Sequence, residues 1–246
     1  MKQIKNNILN TKEAYLLECL KDIFGKFLEE QKERLAKRTF NKYSDVMDLF
    51  EKYLDGYAYQ YLNEEEIESY KQQKFNEDTD FCEIYSIDKI KGYLLDDFMT
   101  YFMIKKVWGS KELMKNTGTV LRKFVKWLKE NSYIEEEKFN DLYDLVNEKK
   151  DDLPKVEELS ELLYDEGIRN SIYNYDEFEE EYFVITSIKK GELWLESFSA
   201  ENKKVGPVKV SNEISSLAQV GWNVYLVLGQ SGGSWFIIES GNVYPD

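Results

Sequence analysis

Lys111, Lys115, Arg122, Lys126 and Lys129 are separated by 4, 7, 4 and 3 residues. At 3.6 residues per turn, these intervals return to one side of a helix and define a basic stripe. The chemistry open to such a stripe is phosphate contact, each Lys or Arg releasing a counterion from a nucleic-acid backbone. The competing reading is a solvated helix face whose lysines pair with nearby acids. Lys115, Asn116 and Thr117 cluster near the N-terminal end of the same segment, where free backbone N–H groups favour an anion.

The remaining chemistry is mostly excluded. The chain has no histidine, which removes the Ser-His-Asp triad, histidine general bases and most zinc sites. Acidic runs occur at Glu64–Glu66, Glu135–Glu137 and Asp176–Glu181. They lack the alternating oxygen ligands and the glycine of an EF-hand, so solvated charge is the expected reading and no metal is predicted. The third run can also compete with nucleic acid for the basic stripe. Gly229-Gln230-Ser231-Gly232-Gly233 is Gly-rich but lacks the lysine of a P-loop and reads as a hairpin loop. No catalytic residue and no cofactor is predicted.

These groups must be positioned by two kinds of element. Leu113, Thr117, Val120, Leu121, Phe124, Val125 and Leu128 recur at helical spacing and oppose the stripe, with Ser110 as N-cap of a helix over 110–134. Further helices are expected over 11–36 (Thr11 capping, Tyr15 and Leu16 on its apolar face), 39–61, 86–107, 135–149 and from Pro154 to a stop at Gly167. Residues 63–85 read as a loop with at most one short helix. From Tyr182 onward, short runs rich in Val, Ile, Tyr and Trp are punctuated by Lys190-Gly191 and Gly232-Gly233, giving about five antiparallel strands in a small barrel. Alternation in 222–229 puts Trp222 in the core and Tyr225 outside.

The 246 residues carry a net charge of −14, and residues 151–182 hold 2 basic against 12 acidic side chains, net −10. Whole-chain charge opposes nonspecific nucleic-acid binding without excluding a local basic face. Cys19 and Cys82 make no disulfide framework and read as thiols in a reducing, cytoplasmic setting. No segment approaches the roughly 18 apolar residues of a membrane span.

Three stretches, RTFNKYSDVMDLFEKYL, DKIKGYLLDDFMTYF and KNTGTVLRKFVKWLKENSYI, carry a family resemblance. The region from about Thr39 to Ile134 resembles the N-terminal SAM-like core-binding domain of tyrosine recombinases (phage integrases). That family completes its site with a C-terminal domain supplying Arg, His and a nucleophilic Tyr. Here no Arg follows Arg169, so no recombinase chemistry is expected. The resemblance implies a DNA-clamping helical domain without its catalytic partner. It nominates Lys37, Arg38, Lys42, Lys115, Asn116, Thr117, Arg122 and Lys126 as nucleic-acid contacts.

The expectation is an α+β chain: a SAM-like all-α bundle over 1–167, an acidic linker over 168–181 and an OB- or SH3-like antiparallel β-barrel over 182–246. The expected function is noncatalytic binding of DNA or a nucleoprotein complex through the helices. The rival is a protein–protein adaptor whose acidic surface and β-barrel recognise a polypeptide, with no nucleic-acid binding.

Overall fold

The computed structural model describes residues 18–107, 109–199 and 203–245. The chain is α+β, with helices first and a five-stranded sheet after them. The described residues form two compact units. One holds residues through Phe102 together with Lys115–Lys150, and the other holds Met103–Met114 and the chain from Asp151 onward.

The first unit contains α1 (Leu20–Arg34), α2 (Lys37–Tyr57), α3 (Glu64–Glu77), α4 (Phe81–Ile84) and α5 (Gly92–Asp97). The short α6 (Met103–Lys105) and the first turn of α7 (Lys111–Glu130) belong to the second unit, while the rest of α7 and α8 (Glu136–Lys149) complete the first. Phe24, Phe27, Phe50, Phe98 and Phe124 are buried at its centre. Thr11, Tyr15 and Leu16, assigned to the first helix from spacing, lie outside the described residues. Residues 63–85 are not mainly loop. Asn63 accepts from the Glu66 backbone N–H at 2.9 Å and the Glu66 carboxylate returns a bond to Asn63 N, a capping box that starts the 14-residue α3. The helix expected over 86–107 is broken. A 3₁₀ turn (Ile87–Lys89) leads to an extended Ile90, and Phe98–Phe102 widens to a π-turn after α5. The Ser86 hydroxyl bonds Asp88 instead of capping the backbone, and Lys138 Nζ takes the Ile87 carbonyl at 2.7 Å.

In the second unit, α9 (Leu153–Asn170) buries Val156, Leu159 and Leu163 in one core with Phe183, Leu195, Leu226 and Ile237 of the strands. The strands are β1 (Glu177–Lys189), β2 (Glu192–Ser197), β3 (Lys204–Lys209), β4 (Asn223–Ser231) and β5 (Ser234–Tyr244), with α10 (Asn212–Leu217) between β3 and β4. They pair in the order β1-β2-β3-β5-β4, and β4 returns to β1. The β3–β5 pairing is parallel, which departs from the all-antiparallel expectation.

Two boundaries also move. The sixth helix belongs with the sheet rather than with a 1–167 helical domain, because its apolar face is covered by strand residues. The 168–181 segment is no free linker. Its second half is strand: Glu177–Glu181 pair with β4, Glu179 bonds Lys203 at 2.5 Å, and Glu181 accepts from Ser197 and Ser199 at 2.6 Å. Gly167 does not stop the helix; it lies inside α9, facing the Ile238 backbone. No helix among the described residues is long and apolar enough to cross a membrane.

Candidate nucleic-acid interface

The N-terminus of α7 is set by Ser110, whose hydroxyl accepts from Leu113 N at 3.3 Å. The face opposite the stripe is anchored by Val120, Leu121, Phe124, Val125 and Leu128, all about 1% exposed or less. That burial turns Lys115 and Lys126 outward and leaves Arg122 half-buried. Residues 111–130 carry six basic and two acidic side chains, net +4 within a chain of −14.

The stripe is not uniform. At its ends Lys111 pairs with Glu158 at 2.5 Å and Lys129 with Glu136 at 2.7 Å. Exposed pairs of this kind contribute roughly 0–1 kcal/mol each and are readily exchanged. In the middle, Lys115, Arg122 and Lys126 form no ion pair among the described residues. Lys126 stands 5.2 Å from the Tyr143 ring centroid of α8, a cation–π geometry. The Tyr143 hydroxyl is held below its ordinary range by its bond to Asn147, then by Lys126 and Arg122.

Of the other nominated residues, Lys37 and Arg38 are exposed in the first turn of α2, Lys42 is half-buried one turn later, and Asn116 is half-buried on α7. Thr117 is a correction. It is fully buried, one turn after buried Met114, and no nucleic acid can reach it. Helical spacing assigns it to the core, and that placement prevails over the role implied by family resemblance. Phe27 of α1 stands between the helices, meeting Tyr43 on α2 at 6.0 Å and Phe124 on α7 at 5.1 Å.

Nothing in sequence spacing marks Lys138, yet its ammonium is pushed well below the usual lysine range. Burial, then the Lys91 charge, lowers it from 10.5 to about 8, against a smaller opposing effect of Asp88. The fold therefore disfavours its charged form. The cost is full below about pH 8 and fades as pH climbs toward the unfolded value. Stability is expected to rise between pH 8 and about 9.5, before tyrosines ionise. Lys138→Met is expected to flatten that rise. Urea midpoints at pH 7, 8 and 9 check it, and a wild-type midpoint that is flat or falls would refute it.

On the sheet, Trp222 is buried and Tyr225 faces outward, donating its hydroxyl to Glu180. Trp194 is half-exposed on β2, with Lys189 Nζ 4.6 Å above its ring. Around it the charges compensate: Lys209 bonds Glu192, and Glu196 lies opposite Lys204. No protein-family model, curated protein or solved structure matches the chain.

Proposed function

We propose that the chain is a noncatalytic binding protein whose α7 face meets the phosphate backbone of duplex DNA. The observation that carries this reading is the set Lys115, Arg122 and Lys126, three cations on the side of one helix opposite its core, without an acid partner among the described residues. At 1.5 Å per residue they are spaced about 10 Å and 6 Å along the axis, within reach of successive phosphates. The resemblance to tyrosine-recombinase core-binding domains supports the same use of a helix face without cleavage. The β-module is inferred to be OB-like rather than SH3-like. Its strand order, the parallel β3–β5 pair and a helix between β3 and β4 support that reading. The β2–β3 face used by OB-folds is charge-compensated here, so the duplex is assigned to the helical unit.

Three phosphate contacts imply a slope of log Kobs against log salt of about −2.7, a loss of roughly 40-fold between 50 and 200 mM. Fluorescence anisotropy of a labelled duplex with the full chain is expected to show that slope. The triple variant Lys115→Glu, Arg122→Glu, Lys126→Glu is expected to abolish it. A flat salt dependence, or a variant that binds like wild type, refutes the reading.

One observation favours the adaptor reading. Tyr164, Ile168, Ile172, Tyr173 and Phe178 are each more than half exposed within the acidic 151–182 region. Such a surface complements a basic amphipathic polypeptide. Absence of duplex binding even at low salt would move the assignment there.

A further inference from the structure

Tyr61 and Tyr93 form a stacked pair, ring centroids 5.0 Å apart and planes at 28°, yet they are 43% and 49% exposed. Phe50, Tyr53 and Phe98 beneath are fully buried, whereas this pair keeps nearly half of its surface open to solvent and offers ring area that packing does not consume. Its position is fixed from below. Tyr53 donates to Asp97 at 2.7 Å, and the Tyr61 hydroxyl is raised by burial and by the same Asp97. The pair lines a cleft of about 300 Å³ that also contains Lys89, Lys91 and Glu66. Glu66 is neutralised by Lys89. Lys91 is exposed and forms no ion pair among the described residues. Its charge also acts on a second lysine, Lys138, only partly offset by Asp88, and an incoming anion would relieve that repulsion.

We propose that Tyr61, Tyr93 and Lys91 form a nucleotide site, in which a base stacks on the tyrosine pair and its phosphate meets the Lys91 ammonium. Stacking on an aromatic face tolerates any base, and a neighbouring lysine supplies the charge that such sites require. The site extends the nucleic-acid reading from a duplex backbone to an exposed base and shares with it only the ligand class. The two sites have separate residues. Lys138 opens α8 and Tyr143, beside Lys126, lies five positions later on the same helix.

The test uses the full chain with a fluorescent deoxyadenosine dodecamer. Adenosine 5′-monophosphate, unlabelled dodecamer and inorganic phosphate serve as competitors. Tyr93→Ala and Lys91→Glu are each expected to weaken the dodecamer at least about fivefold, while duplex affinity in Tyr93→Ala stays within twofold. Both side chains are exposed, and an unchanged thermal melt confirms that the variants fold. Displacement by the mononucleotide identifies a free nucleotide as the ligand; displacement by the unlabelled dodecamer alone identifies a strand. The proposal is overturned if Tyr93→Ala binds the dodecamer like wild type, or if inorganic phosphate competes as well as the mononucleotide. Neither result touches the α7 reading, whose failure would appear in the duplex titration alone.

Discussion

The Phe124→Ala variant is expected to lose about 3–5 kcal/mol from the stability of the first unit. Phe124 is 1% exposed and meets Phe24 at 5.4 Å and Phe27 at 5.1 Å, both edge-on, with Trp127 stacked beside it at 6.3 Å. Truncation removes the transfer free energy of the ring and leaves a cavity bounded by three other rings, which are too rigid to collapse into it. Edge-on aromatic pairs contribute roughly 0.5–1.5 kcal/mol each beyond area, placing this site toward the upper end of the range. Phe124→Leu keeps part of the volume but loses both edge-on pairs, and is expected to cost less than Phe124→Ala. A chain of two units has no single unfolding free energy, so hydrogen exchange resolved by segment is the suitable measurement. Amides of α1, α2 and α7 should lose protection in Phe124→Ala, while those of β1 and β4 keep theirs. The result bears on function because the core face of α7 dictates where its opposite face points. A loss below about 1 kcal/mol would mean that α7 is rotated and that Lys115, Arg122 and Lys126 are not the cations it presents.

What could be read in advance follows how local each signal is. The apolar repeat of α7 and its Ser110 cap are local, and the structure places them as spacing requires. Thr117 shows the limit of transfer by resemblance: its position in the repeat sends it inward, regardless of the role its counterpart has in another family. Asn63 and Glu66 spell a capping box in sequence, but the run between them is too polar for apolar periodicity to reveal the helix it starts. The acids of Glu177–Glu181 display their charge in the sequence and conceal their pairing with β4, since strand pairing is a long-range property. Lys91 and Lys138 are 47 positions apart, and Tyr61 and Tyr93 are 32 apart. Only tertiary packing of the broken 86–107 segment against α8 and the end of α2 creates those neighbourhoods, so the nucleotide site has no signature in spacing.

Alanine at Gly167 and alanine at Gly25 are expected to shift stability in opposite directions, although both glycines lie inside helices. At Gly25 a built Cβ meets nothing within 4 Å, so only backbone entropy and helix propensity change; Gly25→Ala should stabilise the first unit by about 0.5–1 kcal/mol. At Gly167 the same atom would stand 2.7 Å from the Ile238 carbonyl oxygen and 3.1 Å from its carbon. Those are backbone atoms of β5, paired to β4 in the register that holds Leu228 opposite Ile237. No side-chain rotation can relieve the contact, so α9 must lift from the sheet that covers Val156, Leu159 and Leu163. Overpacking of this kind costs about 1–3 kcal/mol, and the propensity gain offsets less than half of it at the upper end. Because the contact is with backbone, the cost lies in the upper half of that range, and the net loss expected for Gly167→Ala is about 1–2.5 kcal/mol, read as lower urea resistance of the α9 and β5 amides with α1 unaffected. Gly25→Ala reports in α1 alone. If Gly167→Ala were neutral, helix and strand would not be in close approach at that point, and the assignment of α9 to the sheet unit rather than to the helical one would fail.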